Sequence, residues 1–198
     1  MKSVRERETH DSEKVKKIAA HYKAILEILG ENPDREGLLK TPERAAKALL
    51  DCTCGYSQTA ENVVGEAVFE HSGSRAIIVR DIEFYSFCEH HILPFFGTVS
   101  IAYLPKGKMI GLSKLARVVD VFARRLQVQE RLTAQICEAV DQILPNEGVM
   151  VLCKAQHLCM KMRGVEKQDS STLTIETCGR FETDSSLCNE VLRMIESR

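Results

Sequence analysis

The sequence predicts an α+β fold: a largely antiparallel sheet with helices on one face, preceded by an N-terminal helical appendage. Three observations support this class. The chain has 198 residues, which is enough for one domain with its own core. Helical periodicity fills the first quarter of the chain, and strand-like segments begin only after it. The strands then come in pairs joined by hairpins or by a pair of helices, which is typical of antiparallel α+β sheets.

The N-terminal part is predicted to contain a polar, flexible segment over residues 1–12 and a helical region over residues 13–55. Within that region, apolar residues recur at helical spacing over residues 13–29 and predict a first helix. Thr41 and Pro42 then have the composition of a helix start, with Thr41 as the N-cap and the proline in the first turn. They predict a second, shorter helix.

The main domain is predicted over residues 65–198, after a loop. Its strands are indicated by β-branched and aromatic residues between turn signals, and its helices by apolar residues three or four positions apart. The predicted strands cover residues 75–86, 97–104, 149–160 and 172–181. The predicted helices begin at Ser113, near Gln129 and at Asp184.

Composition and charge exclude several classes of function. The 27 Lys and Arg residues nearly balance the 28 Asp and Glu residues, so a polybasic nucleic-acid binder is not expected. The apolar runs are only a few residues long, so we expect no membrane-spanning segment. The N-terminus shows no secretory signal, which predicts a cytoplasmic protein. In that reducing compartment the eight cysteines are interpreted as core thiols unless their spacing indicates otherwise.

A first candidate site is the run Cys88, Glu89, His90 and His91, directly after a predicted strand. The C-x-x-H spacing of Cys88 and His91 allows a thiolate and an imidazole to bind the same zinc ion. Four consecutive polar or ligating side chains are poor material for a core, which favours a functional site over a buried structural run.

A second candidate site contains His157 and Cys159, which are predicted to share one face of a strand because positions two apart point the same way. One of them is a candidate metal ligand, and the other is a candidate proton-transfer group. Cys153 has the same parity but lies roughly 20 Å away along a strand. It is therefore interpreted as a structural thiol.

A third candidate site is basic. Lys114 and Arg117 share a face near the start of a predicted helix, with Ser113 as its N-cap. The N–H groups and positive dipole at a helix start suit phosphate oxygens. Arg163, in the loop after the predicted Cys159 strand, could add a third cation. The alternative interpretation is a solvated basic face.

Taken together, these segments resemble GTP cyclohydrolase I. The resemblance covers about residues 77–181, with a weaker similarity over residues 39–44. Four motifs carry it, in the family's order: S-F-C-E-H-H at 86–91, G-L-S-K-L-A-R at 111–117, R-R-L-Q-V-Q-E-R-L-T at 124–133 and H-L-C-M-K-M-R-G-V at 157–165.

The resemblance implies a zinc ion held by Cys88, His91 and Cys159, with the fourth coordination position left open as in catalytic zinc sites. It further implies that His157 protonates the imidazole ring of guanine and that His90 lies close to the reacting centre. Glu89, between the ligands, is the third candidate catalytic residue.

The implied reaction is hydrolysis of GTP at carbon 8, with release of formate and rearrangement to 7,8-dihydroneopterin triphosphate, the first step of tetrahydrofolate and pterin biosynthesis. In that reading Glu130 recognises the guanine with the assistance of Gln129, and Ser113 contacts the ribose. The triphosphate is assigned to five cations: Lys114, Arg117, Arg163, Arg44 and Lys47.

The resemblance also implies an assembly. The fold expected is the tunnelling fold, in which small antiparallel sheets join side by side into a barrel with helices outside. The expected partners are GTP and further copies of the chain, in a decamer of two pentamers with sites at subunit interfaces. Neither a nucleic acid nor a membrane is expected as a partner.

Two alternative functions stay open. The first is the tunnelling-fold nitrile reductase of queuosine synthesis, which would use a cysteine nucleophile and a nicotinamide cofactor. The C-E-H-H and H-x-C motifs argue against it, because that chemistry needs no zinc. The second is a non-catalytic, zinc-stabilised purine-binding protein, which a chelator would unfold.

Overall fold

The structure, a computed structural model, describes residues 10–197, which divide into two compact units between Thr53 and Cys54. The predicted flexible segment falls mostly on residues 1–9, outside the described residues. Asp11, which is described, is the N-cap of the first helix: its carboxylate accepts from the N–H of Glu13 at 2.9 Å.

The first unit contains two helices, α1 (Ser12–Ile28) and α2 (Thr41–Cys52), and both confirm the predicted helices. The predicted N-cap is wrong by one residue. Lys40 occupies that position without a side-chain cap, and Pro42 follows inside the first turn. The Thr41 hydroxyl donates to the carbonyl of Gly37 at 3.4 Å, in the turn before the helix.

The second unit begins with a 3₁₀ turn (Cys54–Ser57). Its helices are α3 (Ala60–Val64), α4 (Leu112–Ala123), α5 (Gln129–Ile143), α6 (Leu158–Lys161), α7 (Arg180–Thr183) and α8 (Ser185–Glu196). Its strands are β1 (Val68–Glu70), β2 (Ile77–Cys88), β3 (Pro94–Pro105), β4 (Lys108–Ile110), β5 (Leu126–Gln127), β6 (Asn146–His157) and β7 (Thr172–Gly179). No helix among the described residues is long and apolar enough to cross a membrane.

The main sheet has five strands in the order β5-β2-β3-β6-β7, and β1 pairs with β4 in a separate two-stranded ribbon. All the pairings are antiparallel except that of the short β5 with the end of β2. This arrangement agrees with the predicted α+β class and its largely antiparallel sheet. The β5 pairing matters for the site, because it places Gln127 beside Cys88.

Strands β3 and β6, in the middle of the sheet, are buried on both faces, and the alternation along them decides which face each side chain occupies. Val99, Ile101 and Tyr103 point to the face covered by α4 and α5. Ala102 and Leu104 point to the opposite face, where α7 and α8 pack. Helices on one face were predicted, and this detail is wrong for the C-terminal helix, whose apolar stripe of Leu187, Val191 and Ile195 finds its partners on the second face.

Strands β3 and β6 approach each other closely at Gly97, near the end that carries the candidate site. A Cβ on Gly97 would lie 1.9 Å from the carbonyl oxygen of Lys154, so only glycine allows this approach. Two residues along β3, Phe95 then stands opposite His157, the last residue of β6. The absence of a side chain at Gly97 therefore brings the end of β6 against β3.

Candidate metal centre and active site

Three side chains in the second unit form a group that could hold a metal ion. The ligand atoms of Cys88, His91 and Cys159 all lie within 4.8 Å of one another. The Sγ of Cys88 and the Nδ1 of His91 are 3.8 Å apart. Two such donors on one tetrahedral zinc ion would be separated by about 3.6 Å, so the separation fits a shared ion.

A tight turn at the end of β2 places the first two members of this group. The carbonyl of Cys88 accepts from the N–H groups of His91 at 3.3 Å and Ile92 at 2.8 Å, and its own N–H donates to Leu93 at 2.9 Å. Ile92 has a φ of 54°, which is uncommon for a β-branched residue. The turn folds the His91 imidazole back towards the Cys88 sulfur.

Cys159 reaches the group from a helix, and the prediction that it shares a strand face with His157 is wrong. Strand β6 ends at His157, and the chain turns into α6, where Met162 donates to the carbonyl of Leu158 at 2.9 Å. The pairing with β3 also stops at His157, so nothing extends the strand. The helical turn, rather than strand alternation, carries the Cys159 sulfur to Cys88.

The two sulfurs influence each other. Burial raises the pKa of the Cys159 thiol, and the neighbouring Cys88 raises it further, while Arg163 acts in the opposite direction. When two thiols are adjacent, the negative charge of one thiolate makes it harder to ionise the other. A divalent cation between them would instead favour the thiolate form of both.

His157 is held in one orientation by two contacts. Its ring stacks on Phe95 with centroids 4.7 Å apart and an interplanar angle of 2°. Its Nε2 lies 2.8 Å from the Oε1 of Gln129. Burial lowers the pKa of His157, and the Glu130 carboxylate opposes that shift, which indicates that Glu130 lies near the ring.

The buried amide of Gln129 fixes the tautomer of that histidine. Its Nε2 is 3.0 Å from the carbonyl oxygen of Cys153, 3.1 Å from that of Thr172 and 3.1 Å from the Thr174 hydroxyl. Carbonyl oxygens only accept, so the amide nitrogen must face them and Oε1 must face His157. The Nε2 of His157 therefore donates, and its Nδ1 is the nitrogen left to accept or carry a proton.

This group of residues lies in a chain with identifiable relatives. A model of the family described as GTP cyclohydrolase I matches residues 18–196. The chain belongs to the GTP cyclohydrolase I family. The protein named GTP cyclohydrolase 1 1 of Pseudomonas aeruginosa is 53% identical over 90% of this chain and 96% of its own length.

Two other relatives are GTP cyclohydrolase 1 of Dictyostelium discoideum, at 50% identity over 95% of this chain and 81% of that protein, and GTP cyclohydrolase 1 of Porphyromonas gingivalis, at 51% over 96% and 98%. A solved structure, of the archaeosine synthase QueF-Like in the apo form, aligns with a TM-score of 0.42 and 19% identity, covering 55% of this chain and 97% of that one. Membership of the GTP cyclohydrolase I family confirms the predicted family and the predicted enzyme class, a hydrolase.

The other two candidate catalytic residues of this GTP cyclohydrolase I family member lie in the Cys88–His91 turn. The Nδ1 of His90 is 4.0 Å from the Cys88 sulfur, and its Nε2 is 3.9 Å from the Glu89 carboxylate. Glu89 also forms an ion pair with Arg131. The hydrogen bond from Arg131 keeps the pKa of the Glu89 carboxyl below its usual value, so this group is held ionised.

The basic cluster expected to bind phosphate occupies the first turns of α4. The prediction that Ser113 is the N-cap is wrong. Helix α4 begins at Leu112 with Gly111 as the N-cap, so Ser113 is the second helical residue. Lys114 donates to the carbonyl of Val63 at 2.9 Å, which orients its ammonium group towards the end of α3. Arg117 is exposed one turn further on.

Arg44 and Lys47 lie in the first unit, on α2, and both are exposed. Lys47 forms an i,i+4 ion pair with Glu43 at 2.5 Å. Their assignment to the triphosphate stays a prediction.

Sequence reasoning missed several residues that support the site. Phe95 stacks on His157, and Thr174 accepts from the amide of Gln129. Arg131, only one position after Glu130, pairs with Glu89. Phe95 lies outside the predicted strands, so neither its burial nor its contact with His157 was predicted. The acid and base of the Glu89–Arg131 pair are 42 residues apart, so no local motif could reveal the contact.

Proposed function

We propose that this chain is a zinc-dependent GTP cyclohydrolase I that opens the imidazole ring of GTP at carbon 8, releases formate and yields 7,8-dihydroneopterin triphosphate. The observation that carries the proposal is the convergence of Cys88, His91 and Cys159 beside an oriented His157, in a chain of this family. The proposed place of the reaction is the first step of tetrahydrofolate and pterin biosynthesis.

The donor set supports zinc as the metal. Two sulfurs and one imidazole suit zinc and disfavour Mg²⁺ and Ca²⁺, which prefer oxygen ligands. Three protein donors leave a fourth position open, as catalytic rather than structural sites do. A zinc ion bound there would supply Lewis acidity, activating water for attack at carbon 8 and polarising the formyl oxygen.

The two histidines outside the ligand set supply proton transfer. His157 presents Nδ1, because Gln129 engages its Nε2, and the stacked Phe95 keeps the ring plane fixed. That nitrogen would deliver a proton to the imidazole ring of the bound guanine. His90 is exposed beside Cys88 and can exchange protons with solvent close to the reacting carbon.

Glu130 would recognise the base. Its carboxylate, in the first turn of α5, can accept two parallel N–H bonds from guanine, from the ring nitrogen and the exocyclic amine. Adenine lacks this pair of donors, so the same contact selects GTP over ATP. The Gln129 amide is fully used by protein partners, so its assistance would come through His157.

The charged contacts would bind and position an intact triphosphate. Arg163, whose positive charge lowers the pKa of the Cys159 thiol, is proposed as one phosphate contact. Ser113 would contact the ribose hydroxyls, and the remaining phosphate contacts are proposed for Lys114, Arg117, Arg44 and Lys47. These cations bind the substrate rather than transfer a phosphoryl group, because the triphosphate survives the reaction.

Two features support sites that are shared between copies of the chain. The C-terminal end of α4 leads directly into β5, which pairs with Cys88. Ser113, at the other end of α4, is about 15 Å from that C-terminal end along the helix axis. At the other edge of the sheet, β7 exposes Leu173 and Ile175 on a strand with one unpaired side. We propose a homo-oligomer, a decamer of two pentamers, in which a second copy completes each site.

Metal analysis coupled to a product assay tests the function. The purified chain is expected to contain about one zinc per subunit and to convert GTP into formate and a fluorescent pterin. Chelation should abolish turnover while circular dichroism retains the α+β signature, and zinc should restore activity. Absence of formate, or consumption of NADPH with a nitrile base, would refute the proposal. Unfolding on chelation without prior turnover would favour the non-catalytic alternative.

A further inference from the structure

Arg131, in the first turns of α5, makes a set of contacts that the proposed chemistry does not use. Its Nε donates to the Oε1 of Gln127 at 2.9 Å, and its Nη2 donates to the carbonyl of Leu126 at 3.3 Å. The same Nη2 pairs with the carboxylate of Glu89. The guanidinium therefore connects the turn that carries the metal ligands with the segment from β5 to α5.

The partner that holds Arg131 is itself fixed. Gln127 is 2% exposed, and its Nε2 donates to the carbonyl of Phe122 at 3.1 Å and to the Oε1 of Gln135 at 2.8 Å. With the amide nitrogen engaged, the Oε1 of Gln127 is the atom left to accept from Arg131. A buried, oriented amide thus sets the direction of the guanidinium fork.

The backbone reinforces this connection at the same place. The N–H of Glu89 donates to the carbonyl of Gln127 at 3.0 Å, next to the β2–β5 pairing of Cys88 with Gln127. Glu89 is therefore tied to one segment through both its backbone and its side chain. It stands between Cys88 and the two histidines, so its position fixes the course of the metal-binding turn.

We propose that Arg131 is a positioning residue that holds the Cys88–His91 turn at a fixed spacing from Glu130 and Gln129 on α5. The inference rests on the proposed function, because it gives that spacing a purpose: the base held by Glu130 must present its carbon 8 at the metal. Glu89 acts in this arrangement as the second half of the link rather than as a proton donor.

The test uses the whole chain and five variants: three single changes at Arg131 and Arg180, and Glu89→Gln alone and combined with Arg131→Ala. Arg131→Ala removes the link, and Arg131→Lys keeps the charge but loses the planar fork. Arg180→Ala is the matched control, because Arg180 forms a similarly exposed pair with Glu147 at 2.9 Å on another part of the sheet. Zinc affinity is measured by competition with a chromophoric chelator, and GTP kinetics are measured separately.

We expect Arg131→Ala to weaken zinc binding and to lower kcat, each by roughly 10- to 100-fold, which is the usual range for outer partners of metal ligands. Arg131→Lys should recover only part of either quantity, and Arg180→Ala should match the parent chain. Combining Glu89→Gln with Arg131→Ala should add little to the single changes, because both break the same link.

Several outcomes would overturn the inference. A variant that raises KM alone would make Arg131 a substrate contact. If Arg131→Ala bound zinc as tightly as the Arg180→Ala control, or if the effects were additive in the double variant, the Arg131–Glu89 ion pair would have no part in positioning the turn. Should Arg131→Ala not fold, Arg131→Lys decides by the same measurements. Absence of GTP turnover in the parent chain would refute the proposed function, whereas the zinc affinities would still test the link.

Discussion

Strand β6 places the same kind of side chain in two different surroundings. Cys153, in the middle of the strand, has no exposed surface, and burial raises the pKa of its thiol to about 12. Cys159, just past the end of the strand, is half-buried and lies within 4.8 Å of Cys88 and His91. One sulfur fills the core, and the other belongs to a group that could hold a metal ion.

The difference shows that neighbours, rather than residue type, decide what a cysteine can do. Along residues 148–155, which we call the core stretch of β6, every second side chain packs against the apolar face covered by α4 and α5. At the site end, His157 and Cys159, the sheet stops and polar groups from β2, α5 and α6 converge. Thiolates need such surroundings to form.

Removing the sulfur at the site end is the most direct way to break this contrast. Cys159→Ser should lose zinc and turnover together, with metal affinity falling by more than about 100-fold, since even outer partners of ligands cost roughly 10- to 100-fold. Metal content after dialysis and pterin formation measure the two effects.

The control for this change lies six residues earlier, inside β6. Cys153→Ser places a hydroxyl near Thr133 and Thr174, which already interact with the thiol. That variant should keep stoichiometric zinc and near-parental turnover. Retention of zinc by Cys159→Ser would mean that Cys159 is not a metal ligand, and the proposed difference in role between Cys153 and Cys159 would be wrong.

Within the site end, His157 and Cys159 are expected to differ in role, because His157 should transfer a proton without binding the metal. His157→Ala should keep zinc and GTP binding but lower the rate of ring opening by roughly 10²- to 10⁴-fold, the usual contribution of a general acid. Single-turnover formate release, with zinc content and GTP affinity measured in parallel, separates these quantities. Parental turnover in this variant would overturn its role in proton transfer.

The fold was largely predictable because its long elements carry strong periodicity. The helices α1, α2, α5 and α8 and the strands β2, β3, β6 and β7 all follow apolar patterns visible in the sequence. The strands β1, β4 and β5 have only two or three residues, too few for a pattern to emerge. The face that α8 covers depended on which side of the sheet offered apolar partners, and sequence periodicity does not contain that information.

The candidate site was predictable where chemistry is local and not where it depends on distant contacts. The C-x-x-H spacing of Cys88 and His91 reflects a tight turn, so the sequence alone suggested it. Cys159 was identified as well, but through the wrong local structure, because the end of β6 depends on where its pairing with β3 stops. The orientation of His157 depends on Gln129, 28 residues away, which only the folded chain brings close.

Specificity offers a smaller test of the site end. Glu130→Gln should weaken GTP binding by roughly 10- to 100-fold, because a charge-assisted hydrogen bond to the base is worth about 1.5–3 kcal/mol. The ratio of GTP affinity to ATP affinity should fall as well. Competition binding with both nucleotides measures the ratio, and Glu138→Gln, in the same helix and bonded only to Gln142 at 3.1 Å in the described contacts, is the control. An unchanged ratio would mean that another group recognises the base.

The smallest expected effect is that of Cys153, in the core stretch of β6, on the pH dependence of the free energy of unfolding. The folded state raises the pKa of Cys153 to about 12, so its thiol stays protonated while the unfolded chain ionises near pH 9. The stabilisation is complete below that unfolded pKa and is lost as the pH rises towards the folded one.

Between pH 9 and 10, the free energy of unfolding of the parent chain should therefore fall by about 1 kcal/mol more than that of Cys153→Ala. Urea unfolding at several pH values measures both slopes, and comparing slopes removes the contribution of the other thiols, including Cys137, whose pKa burial also raises. Equal slopes would mean that the Cys153 thiol ionises in the fold as readily as outside it. The contrast between the core and site sulfurs would then rest on the metal ligands alone.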